Sequence, residues 1–306
     1  MSLRFVAAAL LLWATATCPT AAPAACPPPP QAIDAAAGPA ADHGLLWRLR
    51  RGGHDSYLFG SMHLGRPAWA RPGPALRGAW AQTDVLAVEL DAGAAQTQAA
   101  LAAVPPLPRP LKPAIQQRLD AQLGAACLPP QALDGLHPLL QVSTLTLLAG
   151  RWDGLDSAFG QEVMLLGMAR AEGRPVVALE TGEQQMRALI PADEHELTRS
   201  IEQALTQLER GEVRGPMLRL ALAWERGDFA ALQSYERWCD CVQTAADRRA
   251  LRALNDGRNP ALAEAIMALH DGGARVFAAV GALHMTGPQA LPVLLRKLGF
   301  ELARIR

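Results

Sequence analysis

The sequence predicts an α/β fold: a mixed sheet assembled from both ends of the chain, with a large helical middle section. Three observations carry this. Compact apolar runs of strand length cluster near the two ends, while residues 182–254 read as helices with no convincing strand. One short pattern, an apolar strand followed by Gly-x-x-His, occurs at each end, in YLFGSMHLG (Tyr57–Gly65) and FAAVGALHMTG (Phe277–Gly287). Neither end is long enough to bury a core alone, so the two strands must share one sheet.

The elements follow in order. Residues 1–25 read as a signal peptide: Arg4, an apolar run from Phe5 to Trp13, then small residues with cleavage near Ala22 or Ala25. The run is too short for a comfortable span, and no later segment is longer and as apolar. This points to secretion across the inner membrane into the periplasm. Lipoprotein anchoring through Cys18 fits less well, because Thr17 is bulkier than the Gly or Ala usual before such a cysteine. Residues 26–44 are a Pro/Ala-rich leader with no core of their own. The folded domain spans 45–306.

It opens with a hairpin, LLWRLRRGGHDSYLFGSMH, turned at Gly52-Gly53. A short helix follows in RPGPALRGAWAQTD, with Pro near its start. VLAVELD (Val85–Asp91) is a buried strand ending in acids, with Asp91 as a helix cap. PAIQQRLDAQLGAA is an amphipathic helix and HPLLQVSTLTLLAG a buried one. The helix of DSAFGQEVMLLGMARAEG starts at an Asp156 cap and stops at Gly173. RPVVALE (to Glu180) is a third buried strand. After the helical stretch, ALAEAIMALHDGG is a helix and ARVFAAVGALH a strand. GPQALPVLLRKLGFELARIR closes with a helix and an edge strand.

Lys+Arg and Asp+Glu both total 29, so the chain lacks the basic surplus that marks nucleic-acid binding, and we exclude that class. With Cys18 removed, Cys26, Cys127, Cys239 and Cys241 remain. An even number in an oxidising compartment suits two disulfides, with three pairings open. Zinc is the rival reading, but Cys-x-Cys without a second close pair has poor ligand spacing.

Each repeated His follows the C-terminal end of an apolar strand. In open α/β sheets that rim is where ligands bind. The Gly three residues earlier permits a bend or a close backbone approach. Two further strands end in Glu89 and Glu180. Four strand ends then offer two imidazoles and two carboxylates, the ligand types of zinc, manganese, iron or cobalt. On this reading His63, Glu89 and His284 hold a divalent metal. Glu180 is the second carboxylate or general base, and Arg258, just before the helix at Asn259-Pro260, clamps an anion or stabilises a developing oxyanion. The plainer readings are a hydrogen-bonded structural histidine, a Glu180 facing a helix start, and a surface arginine. His43, His54, His137, His195 and His270 take no role, and no Gly-x-Ser-x-Gly, His-Glu-x-x-His or phosphate-binding Gly loop is present.

YLFGSMHLG, VLAVELD, GLDSAFGQEVMLLGMARAEGRPVVALETGEQQ, DGRNPALAEAI and VFAAVGALHMTGPQALPVLLRKLGFELARI, in that order, resemble the TraB/GumN family over about 45–306. That family is related to the TIKI proteases and, more distantly, to the ChaN and erythromycin esterase group. The resemblance implies their α/β sheet with a large helical part and both Gly-x-x-His motifs at one site. TIKI-like members are metal-dependent proteases supported by manganese or cobalt. Carried over by motif, their functional set falls on His63, His284, Glu89 and Arg258, and Glu180 lies in the Leu-Glu-Thr pattern of GumN-like members. Departures at Met62 and Leu64, where the family often has Thr or Ile and Val, affect only neighbouring side chains. The expectation is a secreted metal-dependent hydrolase of peptides or proteins, using manganese, cobalt or zinc. The alternative is a periplasmic protein that binds a metal, haem or an anion without turnover.

Overall fold

The computed structural model describes residues 26–33, 40–107 and 109–306. The expected signal segment 1–25, and part of the leader, lie outside the described residues. Among the described residues no helix is long and apolar enough to cross a membrane.

Six strands form one mixed sheet. β1 (Leu45–Arg51) and β2 (His54–Ser61) make the expected hairpin, in which Arg51 pairs with His54 across Gly52-Gly53. Both glycines have positive φ, 59° and 86°, which a two-residue turn compatible with strand twist requires. β3 (Val85–Val88), β4 (Val176–Ala178), β5 (Val276–Gly281) and β6 (Glu301–Arg304) complete the order β4-β3-β5-β2-β1-β6. β5 pairs in parallel with both β2 and β3, and β3 in parallel with β4. The two Gly-x-x-His strands are therefore direct neighbours, with Ser61 opposite Gly281.

The central strands are apolar in unbroken runs because the sheet is covered on both faces. Leu58, Val276, Phe277, Ala278, Ala279 and Val280 are all fully buried. Trp224 packs beneath β2, and its indole N–H donates to Gly60 O (2.7 Å), so the buried ring carries no unsatisfied donor.

The helices are α1 (Pro74–Ala81), α2 (Ala95–Ala102), α3 (Pro113–Ala125), α4 (Pro138–Ala149), α5 (Gln161–Glu172), α6 (Gly182–Leu189), α7 (Glu194–Glu209), α8 (Arg214–Glu225), α9 (Phe229–Gln233), α10 (Tyr235–Trp238), α11 (Ala245–Leu254), α12 (Asn259–Asp271) and α13 (Leu291–Lys297). Apolar positions at helical spacing on α3, α4 and α7 build a second core, with Ile115, Leu119, Val142, Leu145, Leu197 and Ile201 at its centre. α12 packs on β5 and on α13.

Four local expectations need correction. β4 is a short edge strand, half-buried to exposed, rather than a buried strand from Pro175 to Glu180, because only β3 flanks it. Asp156 caps a 3₁₀ turn, Ser157–Phe159, and α5 begins only after Gly160. Asp91 caps no helix. It accepts from the Gly93 N–H (2.9 Å) and pairs with Arg170, while Ala94 precedes α2. α4 buries only Val142 and Leu145; its other face is open enough to leave Leu147 40% exposed. Helix α2, in an Ala/Gln/Thr stretch with little amphipathic pattern, was not legible in the sequence.

The cysteines form Cys26–Cys127 and Cys239–Cys241. The first ties the leader to the end of α3 across 101 residues. Beyond it, Pro28–Gln31 share the walls of a small cavity with Pro67, Arg151 and Phe159, so this part of the leader lies against the folded domain.

Candidate functional site

Four consecutive strands of the sheet, β4, β3, β5 and β2, run parallel, so their C-terminal ends lie along one rim. Just beyond those ends, in the same spatial order, come Glu180, Glu89, His284 and His63. Glu89, Glu180 and His284 are buried. The ring of His63 remains 65% exposed.

The glycines of the repeated motif do different work. The Gly281 N–H donates to Glu89 Oε1 at 2.6 Å, and a Cβ on Gly281 would sit 3.2 Å from that oxygen. A Cβ on Gly60 would instead press on Met285 Cγ at 3.1 Å, in the 3₁₀ turn Ala282–Met285 that carries His284. One glycine admits the carboxylate, and the other admits the turn that presents the imidazole.

Arg258, at the N-cap of α12, reaches the middle of this rim. Its Nε donates to Glu180 Oε2 (3.0 Å), and its Nη2 donates to Glu89 Oε2 (2.5 Å) and to Glu180 Oε1. Nη1 donates to Leu254 O (3.1 Å) and lies 3.4 Å from His284 Nε2. Gln185 also donates to Glu180 Oε1 (3.2 Å). A planar guanidinium with several fixed donors suits this double-carboxylate grip better than an ammonium would.

Asn259 settles the tautomer of His284. Its Nδ2 donates to the backbone carbonyls of His284 (3.1 Å) and Gln289 (2.8 Å), so its Oδ1 must accept. The partner of that Oδ1 is His284 Nδ1 at 2.6 Å, which therefore carries the proton. The Nε2 lone pair then faces the Arg258 Nη1 donor at 3.4 Å, with Glu89 Oε2 at 3.8 Å. Burial pushes the His284 imidazole down to about 4, so it is neutral at pH 7.

Burial works against a charge on Glu89. The imidazoles of His284 and His63, then Arg258 and the Gly281 N–H, outweigh it and hold the carboxyl at about 2. Because His284 is neutral at pH 7, the standing counter-charges there are His63 and Arg258. Glu180 goes the other way: its burial, aided by neighbouring Glu89, raises its carboxyl despite Arg258. Two carboxylates sharing one arginine are thus pushed in opposite directions, Glu89 down and Glu180 up.

His63 is set apart from this hydrogen-bonded cluster. Its Nδ1 lies 3.2 Å from Glu162 Oε1, and Glu162 also accepts from Ser61 Oγ. The Glu162 charge is the main cause that raises His63, to about 9, and Glu89 adds to it. The exposed ring lets solvent screen that attraction.

The structure therefore joins Glu89, Glu180, Arg258 and His284 by direct contact and places His63 on the same rim, paired elsewhere. Glu162, Asn259 and Gln185 were missed in the sequence. Glu162 lies at the start of α5, and what brings it to His63 is the pairing of the Asp156 backbone with Gly65, which no sequence pattern shows. Asn259 directly follows Arg258 and is fully buried, which a residue-type pattern does not show. His270, given no role, is structural: it stacks on His54 at 3.8 Å and bonds Ser56 and the Arg51 carbonyl.

Among the described residues no three His, Cys, Asp or Glu side chains stand grouped as a metal cage. The nearest arrangement is the His284 Nε2 and Glu89 Oε2 pair. A neutral imidazole whose other nitrogen is held by an amide, beside an ionised carboxylate, is the donor chemistry of a divalent ion. As donor types the residues fit such an ion, but both atoms face the Arg258 guanidinium, which would have to move aside to admit it.

The fold and this rim define an α/β protein with a buried His/Glu/Arg cluster at the C-terminal ends of parallel strands. The chain belongs to the TraB/PrgY/gumN family, whose model matches residues 45–304. No curated protein and no solved structure matches the chain.

Proposed function

We propose that the protein is a metal-dependent hydrolase of peptide-type bonds, exported to the periplasm. The observation that supports this most is His284. It is buried, neutral and fixed by Asn259, with its unprotonated Nε2 beside the Arg258 Nη1 (3.4 Å) and the ionised Glu89 (3.8 Å). Glu89 and His284 would hold the metal, with His63 on the neighbouring strand end as the third donor once freed from Glu162. A divalent ion there would lower the pKa of a bound water and polarise a carbonyl.

The remaining residues have separable roles. Glu180, whose carboxyl is raised, accepts a proton from the attacking water and returns it to the leaving amine. Arg258 places positive charge where an oxyanion would develop. Asn259 keeps the His284 Nε2 free of a proton.

Cleavage of a peptide library and of simple esters, with manganese, cobalt or zinc added to the purified protein, tests this. Metal-stimulated cleavage that disappears in Glu89→Gln and in His284→Ala is expected. Cleavage that survives in the double variant, or that no metal stimulates, overturns the proposal. A second reading, metal binding without turnover, is favoured by the burial of Glu89, Glu180 and His284, which leaves His63 as the exposed side chain of the set. It predicts bound metal and no cleavage in the same assay.

A further inference from the structure

Away from the rim, the disulfide Cys239–Cys241 follows α10. Only one residue separates its cysteines, so it restrains very little of the unfolded chain and is a poor staple beside Cys26–Cys127. Its surroundings suit a different use. The two sulfurs are unequally placed: Cys239 is 4% exposed, while Cys241 is half-buried and lines a cleft of about 840 Å³. Other walls of the cleft come from Thr206, Arg210, Pro216 and Met217, a mixed polar and apolar lining.

One backbone donor is directed at the inner sulfur, and a hydroxyl lies within reach of both sulfurs. The Cys241 backbone N–H donates to Cys239 Sγ (3.4 Å), and the Tyr235 hydroxyl lies 3.4 Å from the same sulfur and 3.2 Å from Cys241 Sγ. Tyr235 also lines the cleft. Its burial pushes the phenol upward, so it keeps its proton at neutral pH and can donate to a thiolate.

We infer that Cys239–Cys241 is an exchangeable disulfide, reduced by a dithiol that enters the cleft and attacks Cys241 Sγ. In the first step the dithiol's thiolate forms a bond to Cys241 Sγ, the Cys239–Cys241 bond breaks, and its electron pair leaves on Cys239. The Cys241 N–H and the Tyr235 hydroxyl stabilise that thiolate, and a better-stabilised leaving thiolate departs faster. In the second step the dithiol's other thiolate attacks its own sulfur in the mixed disulfide and releases Cys241. Two electrons pass to the protein, the dithiol becomes a disulfide, and the protons it loses are matched by those the two cysteines gain.

The test uses the purified protein in dithiothreitol redox buffers, with free thiols alkylated and each cysteine peptide quantified by mass spectrometry. Cys239–Cys241 should open under less reducing conditions than Cys26–Cys127. With oxidised glutathione, Cys239→Ser should form a stable mixed disulfide at Cys241, whereas Cys241→Ser should react poorly at Cys239. Tyr235→Phe should slow reduction by dithiothreitol about tenfold without unfolding the protein, as expected for loss of one hydrogen bond to a charged group. The inference is overturned if Cys239–Cys241 is as resistant as Cys26–Cys127. Equal glutathione labelling of the two serine variants overturns it as well. Folded state is checked by circular dichroism, so a misfolded variant does not decide the outcome. Glutathione and dithiothreitol as sole reductants distinguish a small monothiol from a dithiol: reduction by glutathione alone at the same thiol concentration and rate would overturn the dithiol assignment.

Discussion

Replacing Arg258 with Met keeps most of the side-chain stem and removes the one cation that Glu89 and Glu180 share. The exposed fractions of the three side chains are 13%, 7% and 6%, so water can replace the lost contacts only in part. Breaking a buried ion pair by removing one partner costs about 3–5 kcal/mol, mostly from the charge left behind. At about 2–4 °C per kcal/mol for a domain of this size, the melting temperature should fall by roughly 10 °C at pH 7 to 8. The loss should depend on pH. In the wild type, Glu89 titrates near 2, below the ordinary 4.5, so its contribution is present above about pH 4.5 and is lost as pH falls towards 2. In Arg258→Met, Glu180 loses its main offset to burial and Glu89 loses one of several, keeping the imidazoles and the Gly281 N–H, so both carboxyls rise, Glu180 the more. Their protonation then stabilises the folded state as pH falls through the raised values, so the gap between variant and wild type should narrow between pH 8 and pH 5. Urea unfolding at several pH values measures this. Adding Glu89→Gln to Arg258→Met should recover part of the loss, since one stranded charge is gone. A gap below about 1 kcal/mol, or one that does not change with pH, would refute the reasoning.

Three further predictions rest on separate contacts. Glu162→Gln should bring the His63 titration, followed by NMR, from about 9 back towards 6.5. The raised value stabilises the fold below about pH 6.5 and is lost as pH rises to about 9, and solvent at the 65% exposed ring keeps it within about 1 kcal/mol; an unchanged His63 titration would contradict the pairing. Asn259→Ala should strip the partner from His284 Nδ1, cost about 1–3 kcal/mol and populate both imidazole tautomers by nitrogen-15 NMR; a single unchanged tautomer would show that Asn259 does not set it. Replacing Cys26 and Cys127 with Ser should lower stability by up to about 4.7 kcal/mol, the chain-entropy value for a loop of this length, and an unchanged melting temperature would mean the leader is held by other contacts.

Much of the fold was legible because the central strands are buried on both faces. Leu58–Phe59 and Val276–Val280 are continuously apolar, so their strand length and burial stand out without any tertiary information. The Gly-Gly hairpin was equally clear, since few residues tolerate positive φ at both turn positions. The edge position of β4 was hidden. Val176 and Val177 read like a central strand, and only the pairing order shows that one side is free. In the rim, the strand-end rule brought out Glu89, Glu180, His63 and His284, because each directly follows an apolar run. The contacts that set their charge states come from other elements. Asn259 and Glu162 act through helix starts, and their sequence distances from His284 and His63 are not fixed by any local period. Which of the two histidines joins the buried carboxylates was likewise invisible, since both motifs have the same spacing.

The most direct measurement is elemental analysis combined with manganese titration calorimetry on the purified protein. Convergence of Glu89 and His284 on one ion predicts a single divalent metal bound by the wild type and lost in a folded Glu89→Gln/His284→Ala variant. Equal metal content and equal binding heat in the two proteins would contradict it.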